Sequence, residues 1–212
     1  MTRVVAAGLV VCTGTACGSG ERAPTREVRL PVPFMRAPPS LAHRCSVTAR
    51  AVGYAVPCPT MIPRGLVPTE AVGPCARQGW TFHIVGLPCP PPGPWKGWVV
   101  GSSEVAGVPR QHLVIMASPR PIRDYAKVVN GPAWYPRARV EVDGWTTVRG
   151  RRIRWMFVPP ATNEGSAFAG HVVLVWTTGG HTYAVGFHDA TTRCAARAMD
   201  LELARHLRMV RP

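Results

Sequence analysis

The chain has 212 residues, of which 21 are Gly and 23 are Pro, and its 25 Lys and Arg residues against 11 Asp and Glu give a formal net charge of +14. Hydrophobic residues make up 46% of the chain, which at this length supplies a buried core and favours one domain. No apolar run reaches the roughly 18 residues of a membrane-spanning helix, and no unit of about 20 to 50 residues repeats. The composition excludes polytopic, fibrous and solenoid proteins and predicts a basic, strand-rich domain.

Residues 1–16 have the pattern of an export signal. Arg3 precedes an uncharged apolar run from Val4 to Val11, and the small residues Gly14-Thr15-Ala16 stand directly before Cys17. This pattern resembles the signal peptide of bacterial lipoproteins. The resemblance implies cleavage before Cys17, lipid modification of that residue and anchoring at the outer face of the cell membrane. Two alternatives stay open, namely ordinary secretion after cleavage near Ala16 and a cytosolic protein with an apolar N-terminus.

The segment after the signal is rich in Pro and Arg and poor in large apolar residues. Such a composition is typical of a semi-extended linker, because proline favours extended backbone and little surface can be buried. We therefore predict a disordered tether at 17–43 and a single folded domain at 44–212.

Five cysteines follow the signal. Cys45, Cys58, Cys75 and Cys89 fall in a proline-dense segment where disulfides could replace missing core, and we predict two disulfides among them, with all three pairings open. Their spacings of 13, 17 and 14 residues lack the close pairs of a zinc site. Cys194 lies in a helical pattern and is interpreted as a small buried apolar residue.

Short segments rich in β-branched and aromatic residues recur between turn signals from about residue 80 onward. We predict strands at 80–85, 97–103, 111–116, 139–142, 145–149, 152–158, 171–177 and 181–187, and helices at 122–129 and 192–209. Few intervals are long enough for a helical crossover. The predicted fold class is α+β, a mainly antiparallel twisted sheet covered by a C-terminal helix.

The hairpin around Gly179-Gly180 has a predicted register. With these glycines at the centre of a two-residue type I′ turn, Trp176 lies opposite Tyr183 and one face becomes a continuous apolar strip. The other face, which includes Ala184 and Gly186, is also apolar, so we expect this hairpin to be central and covered on both sides.

The C-terminal helix is predicted to cover the face of Ala184 and Gly186, because small residues allow a close approach, while Arg193 and Arg197 lie largely away from its apolar stripe. Asp143-Gly144 is interpreted as a second type I′ turn, and residues 149–152 as a third.

The spacing Trp176-x-x-Gly179-Gly180-x-x-Tyr183 before a final helix is similar to that in bacterial envelope proteins that carry lipoproteins or regulate sigma factors. The resemblance covers about 40 residues and implies an envelope protein, but it carries over no functional residue.

One candidate site lies at the mouth of the Gly179-Gly180 hairpin. The predicted register sets His171 opposite His188 with Asp189 adjacent, so two imidazoles and a carboxylate could converge on a metal ion. The sequence offers no further ligand, and two histidines at a sheet rim with Asp189 capping a helix are the simpler interpretation. No nucleophile, phosphate-loop, dinucleotide or paired-carboxylate motif appears, so we predict no catalytic residue, no cofactor and no enzyme.

The other candidate site is anion-binding and consists of Arg149, Arg151, Arg152 and Arg154 around one turn. Outside the cytoplasm the available anions are lipid headgroups, anionic envelope polymers and acidic proteins, and we expect no nucleic acid partner. The alternative is compositional, since 23 of the 25 cationic residues are Arg, as a GC-rich genome would give without selection for binding.

The sequence thus predicts an extracytoplasmic, lipid-anchored binding or interaction module of the cell envelope. The alternative function is an envelope hydrolase or metal-dependent enzyme that uses His171, His188 and Asp189.

Overall fold

The computed structural model describes residues 30, 32–66, 96–105, 108–123, 141–158, 170–188 and 193–212, with backbone alone at 96–105, 108–112, 141–143 and 188. The predictions for Cys17, Cys75, Cys89, Asp189, the strand at 80–85 and most of the helix at 122–129 lie outside these residues.

The described elements are two helices and ten strands. In chain order they are β1 (Phe34–Arg36), α1 (Pro39–Val52), β2 (Val56–Pro59), β3 (Met61–Pro63), β4 (Lys96–Val105), β5 (Val108–Ser118), β6 (Glu141–Val148), β7 (Arg151–Phe157), β8 (Val172–Thr178), β9 (His181–His188), α2 (Arg193–Arg205) and β10 (Leu207–Val210). Neither helix is long and apolar enough to cross a membrane.

One six-stranded sheet has the order β4-β5-β9-β8-β7-β6, and two small sheets pair β1 with β3 and β10 with β2. Every described strand pair is antiparallel. The predicted α+β fold class, an antiparallel sheet with a C-terminal helix, is confirmed.

The β8–β9 hairpin has the predicted register. Trp176 pairs with Tyr183 and Leu174 with Val185, and both turn glycines have positive φ, 58° at Gly179 and 77° at Gly180. A type I′ turn needs positive φ at both central residues, which glycine adopts without steric cost. Both strands lie inside the sheet and the residues of both their faces are buried, as predicted.

Helix α2 packs on the opposite face of the sheet from the predicted one. The guanidinium carbon of Arg197 lies 3.8 Å from the centroid of the Trp155 ring, and that of Arg193 lies 3.7 Å from the Phe157 ring. Trp155 pairs with Leu174 and shares its face of the sheet, which we call the aromatic strip. Helix α2 therefore contacts the aromatic strip rather than the face of Ala184. Arginine stems cover apolar surface while the guanidinium stacks on an aromatic ring, so these residues need not point away from the sheet.

Helix α2 is also shorter than predicted, since it ends at Arg205 and the chain continues as β10. Glu202 accepts hydrogen bonds from Arg205 at 2.8 Å and pairs with His206 at 3.0 Å, which closes the last turn. Leu207 then pairs with Pro59 of β2. The apolar spacing at 203, 207 and 210 fits a helix and a short buried strand alike, so periodicity alone misassigned the segment.

The predicted boundary between tether and domain at 43/44 is wrong, because it falls inside α1. Pro39 occupies the first turn of the helix, where its missing N–H and fixed φ are tolerated, and Gly53 ends the helix at φ 76°. Leu41, Cys45 and Ala49 are fully buried at helical spacing. Residues 34–43 therefore belong to the domain, and the prolines interpreted as a linker mark a helix start.

Asp143-Gly144 is a β-bulge within β6 and not a turn, which corrects the second predicted hairpin. The register with β7 shifts between Val142 and Gly144. A Cβ at Gly144 would lie 3.2 Å from Nε1 of Trp155, so glycine allows the indole to pack closely on the strand.

The cysteines are oxidised in the described residues. Cys45 of α1 forms a disulfide with Cys58 of β2, which is one of the three predicted pairings. Cys194 is also disulfide-bonded and only half-buried, and its partner lies outside the described residues. The interpretation of Cys194 as a small buried apolar residue is therefore wrong.

Asp200 of α2 is a carboxylic acid inside the core. It is fully buried, and neither carboxyl oxygen has a hydrogen-bond partner. Burial raises its pKa well above the ordinary value, and the nearby backbone amide of Phe187 lowers it only in part. The folded state therefore holds this proton more tightly than the unfolded state does.

This difference predicts how stability depends on pH. The contribution of Asp200 to the free energy of unfolding is fully present below the unfolded-state pKa of about 3.9. It is lost as pH rises towards the raised pKa of the folded state. We expect Asp200→Asn, which cannot ionise, to be more stable than wild type at pH 8 by at least about 1 kcal/mol, and to lose this advantage near pH 4. Urea unfolding at several pH values measures this.

Glu202→Gln is the matched control. Burial raises the pKa of Glu202, but the hydrogen bonds and charges of Arg205 and His206 lower it overall, so this variant should lose stability at neutral pH. If Asp200→Asn and wild type show the same dependence of unfolding free energy on pH, the buried carboxyl of Asp200 does not cause that dependence.

A basic hairpin as the candidate functional site

Two turns lie side by side at one end of the large sheet. Arg149-Gly150 joins β6 to β7, and Gly179-Gly180 joins β8 to β9. Arg154 pairs with Val175 at the end of the β7–β8 ladder, so the two turns beyond this pair lie at the same end of the sheet. The structure thus gathers the four predicted anion-binding residues at this end. We call them the arginine hairpin: Arg149, Arg151, Arg152 and Arg154.

Within the part of the chain that the structure describes, the arginine hairpin has no acidic partner. Arg149 and Arg152 are exposed, whereas Arg151 and Arg154 are half-buried. No described carboxylate lies within ion-pair distance of any of the four, and the described ion pairs are those of Glu202 with Arg205 and His206. The Nε atom of Arg154 is buried without a hydrogen-bond acceptor. A buried donor without an acceptor is uncommon in proteins.

Trp145 of β6 holds two of these arginines in place. Its side chain is 50% exposed, and the guanidinium carbons of Arg152 and Arg154 lie 4.2 Å and 5.8 Å from its ring centroid. An exposed cation–π contact contributes about 0.5–1 kcal/mol. The ring therefore draws charge from β7 towards the edge strand. The sequence did not single out Trp145 as a site residue. Once the Arg149-Gly150 turn fixes the register, Trp145 falls opposite Arg154 and on the same face as Arg152, which is the signal that could have identified it.

Arg149 has an unfavourable backbone conformation, with φ at 49°, and it is the one described non-glycine residue with positive φ. Residues other than Gly, Asn and Asp adopt this backbone region at a cost of about 1 kcal/mol or more. The first central position of this turn would suit Asn better.

An aromatic cluster supports the same end of the sheet. The ring of His181 stacks on Tyr54 with centroids 4.5 Å apart, and Tyr183 lies 5.7 Å from Trp176. The hydroxyl of Tyr54 donates to the carbonyl of Ala117 at 3.2 Å, and that of Tyr183 donates to the carbonyl of Ala55 at 3.0 Å. These bonds connect the segment after α1 to the sheet.

Burial sets the protonation of the two tyrosines. Burial raises the pKa of Tyr54, and its neighbour Tyr183 adds to the rise. Burial also raises the pKa of Tyr183, and the nearby charge of Arg151 lowers it in part. Both phenols stay neutral at physiological pH and act as hydrogen-bond donors to backbone carbonyls.

The second candidate site lies at the opposite end of the β8–β9 hairpin. His171 directly precedes β8 and is 1% exposed. His188 pairs with His112 of β5, a neighbour that the sequence did not indicate. The His188 side chain and Asp189 are outside the description, so the predicted metal or hydrolase cluster stays a prediction. Among the described residues, no group of three or more His, Cys, Asp and Glu could hold a metal ion.

Comparisons with known proteins add little. No family model matches the chain, and no curated protein matches it. The chain is similar to the solution structure of cyanobacterial PsbP (CyanoP) from Synechocystis sp. PCC 6803, with a TM-score of 0.42 and 12% identity, over 93% of this chain and 98% of that chain. A similarity at this level assigns no function.

The conformation of Arg149 generates a prediction about stability. Arg149→Asn should raise the free energy of unfolding by about 1 kcal/mol, because Asn-Gly is a preferred type I′ pair. Denaturant unfolding measures the change. Arg152→Asn is the control with the same loss of charge, and it should lower stability slightly because it removes the contact with Trp145. A destabilised Arg149→Asn variant would contradict the assignment of strain to this residue.

Proposed function

We propose that this chain is an extracytoplasmic, lipid-anchored binding module of the bacterial cell envelope whose arginine hairpin binds an anionic partner. The observation that carries this proposal is a set of four guanidinium groups at one sheet end, with no described carboxylate in ion-pair distance and one buried Nε without an acceptor.

The electrostatics favour a partner with several negative charges. Four like charges within one hairpin repel each other, and an approaching polyanion relieves this repulsion. Exposed pairs each contribute little, so affinity depends on several contacts made together. Arg154 is half-buried. A hydrogen bond from its guanidinium to an anion would contribute more to affinity than an exposed pair, because hydrogen bonds to charged groups are stronger where water is excluded.

The arginine hairpin suits binding better than catalysis. Its donors are permanently charged guanidinium groups, which do not exchange protons near neutral pH. The neighbouring phenols of Tyr54 and Tyr183 both donate to backbone carbonyls. Within the described residues, no carboxylate or thiolate lies beside the hairpin to act as base or nucleophile.

The cysteine chemistry supports the compartment. The Cys45–Cys58 disulfide and the oxidised Cys194 are typical of proteins that fold outside the reducing cytoplasm. Together with the resemblance of residues 1–17 to a lipoprotein signal, they support export followed by anchoring through Cys17.

The anchor is tested by metabolic labelling. We expect the full chain, expressed in a bacterial host, to incorporate labelled palmitate, and globomycin to cause accumulation of the uncleaved precursor. Cys17→Ser is the matched control and should lose the label. A chain that is cleaved but unlabelled would indicate ordinary secretion, and an uncleaved chain in the cytosol with reduced thiols would overturn the proposed compartment.

The binding site is tested with inorganic polyphosphate as a probe polyanion and neutral dextran as its uncharged counterpart. We expect neutralisation of three hairpin arginines to weaken polyphosphate binding about tenfold or more and to flatten its salt dependence. Two triple variants are compared. The first carries Gln at Arg149, Arg151 and Arg152, and the second, the control, carries Gln at the exposed positions Arg50, Arg64 and Arg208.

The second variant removes the same charge from other parts of the surface. If polyphosphate affinity depends on the arginine hairpin, the control variant should bind within about threefold of wild type. Equal losses in both variants would mean that binding follows net charge alone, which is what the compositional interpretation of the arginines predicts.

A further inference from the structure

Strand β6 is an edge of the six-stranded sheet. The Arg149-Gly150 turn has two central residues, both with positive φ, so Val148 and Arg151 exchange hydrogen bonds across the hairpin. In an antiparallel pair, hydrogen-bonded and non-hydrogen-bonded pairs alternate. Trp145 and Thr147 therefore fall in non-hydrogen-bonded pairs, and their N–H and C=O groups point outwards from the sheet.

Within the described residues, nothing covers the outer side of this edge at 145–148. Trp145, Thr147 and Arg149 are exposed, and no described strand pairs with the outer side of β6. Natural edge strands are commonly protected by proline, charged side chains, a β-bulge or a covering element. Residues 145–148 contain neither proline nor lysine, and the bulge at Gly144 ends the regular register before this stretch. The edge therefore presents a short, regular template for an extended chain.

The charge next to the edge selects the chemistry of the added strand. Directly opposed residues of neighbouring strands share a face of the sheet, so a partner residue opposite Trp145 would lie on the face where Arg152 reaches over that ring. A partner residue opposite Thr147 would lie close to Arg149 and Arg152. Alternating Asp or Glu in the added strand would place carboxylates at both positions. A second copy of this chain is disfavoured, since each copy carries a formal net charge of +14.

We propose that β6 binds an extended acidic segment of a partner protein by strand addition. Its backbone pairs with Trp145 and Thr147, and its alternate acidic side chains bind Arg149 and Arg152 of the arginine hairpin. This inference rests on the proposed function and identifies the partner as a protein segment rather than an envelope polymer. Backbone pairing supplies affinity, and the arginines supply the preference for acidic residues.

A short peptide tests the proposal on the folded chain. The probe has about eight residues alternating Glu and Thr, and its counterpart carries Pro in place of each Thr, which keeps the charge but cannot form a ladder. We expect Thr147→Pro, which removes one outward N–H, to weaken binding of the Glu-Thr peptide about tenfold, and Thr147→Val, which keeps that N–H, to bind within about twofold of wild type.

Hydrogen exchange in the wild-type protein gives a second measurement, because Thr147→Pro could impair folding. The amides of Trp145 and Thr147 should exchange more slowly when the Glu-Thr peptide is bound and should be unaffected by the proline counterpart or by polyphosphate. Unchanged exchange at both amides with the peptide bound would overturn the proposal. Formation of a dimer without peptide would assign the edge to a second copy and would also overturn it.

The two proposals fail in different ways. If neutralising the arginine hairpin weakens polyphosphate and peptide alike while Thr147→Pro has no effect, the arginines bind anions and strand addition is wrong. If Thr147→Pro weakens the peptide but neutralising the arginines weakens neither the peptide nor polyphosphate, the edge binds peptides without regard to charge, and both the acidic preference and the proposed role of the hairpin are wrong.

Discussion

The register of the β8–β9 hairpin is the constraint on which the rest of the structure depends. Gly179 and Gly180 supply two positive φ angles, and Trp176 then pairs with Tyr183. A shift by one residue would move every side chain of one strand to the other face, at the cost of two buried apolar faces. Because β7 pairs with β8 and β6 pairs with β7, the same register places the Arg149 turn next to the glycine turn.

The layer over the aromatic strip depends on covalent closure as well as packing. The Cys45–Cys58 disulfide closes a loop with a sequence separation of 13, and such a loop stabilises a fold by about 3 kcal/mol in the chain-entropy model. β2 in turn pairs with β10, so both ends of the described chain meet at the oxidised segment. Tyr54 lies within this loop and bonds to Ala117 of the sheet. The packing of Tyr54 against the sheet therefore relies on the oxidised state of Cys45 and Cys58.

Much of the fold was predictable from sequence where a local rule has one solution. Glycine pairs at a hairpin turn specify a register, and the alternation of β7 predicts that Ile153 and Trp155 point inwards, where both are buried. The prediction of a turn at Asp143-Gly144 was wrong because the same dipeptide occurs in turns and in bulges. Only the packing of Gly144 against Trp155 decides between the two. Helix α1 was missed because Pro38-Pro39 is typical of linkers and helix starts alike. The face that α2 covers and the place of Trp145 beside Arg152 depend on tertiary contacts between distant residues.

The arginine hairpin combines several locally unfavourable features. A GC-rich genome accounts for the number of arginines, but it does not account for an arginine at φ 49° where Asn would be less strained, nor for a buried guanidinium Nε without an acceptor. It also does not account for an exposed Trp that draws two arginines towards a sheet edge with no described neighbour. Sequences that are locally consistent elsewhere usually depart from these rules at functional sites. The coincidence of strain, unmet hydrogen bonding and open backbone in one hairpin therefore favours selection for binding over composition.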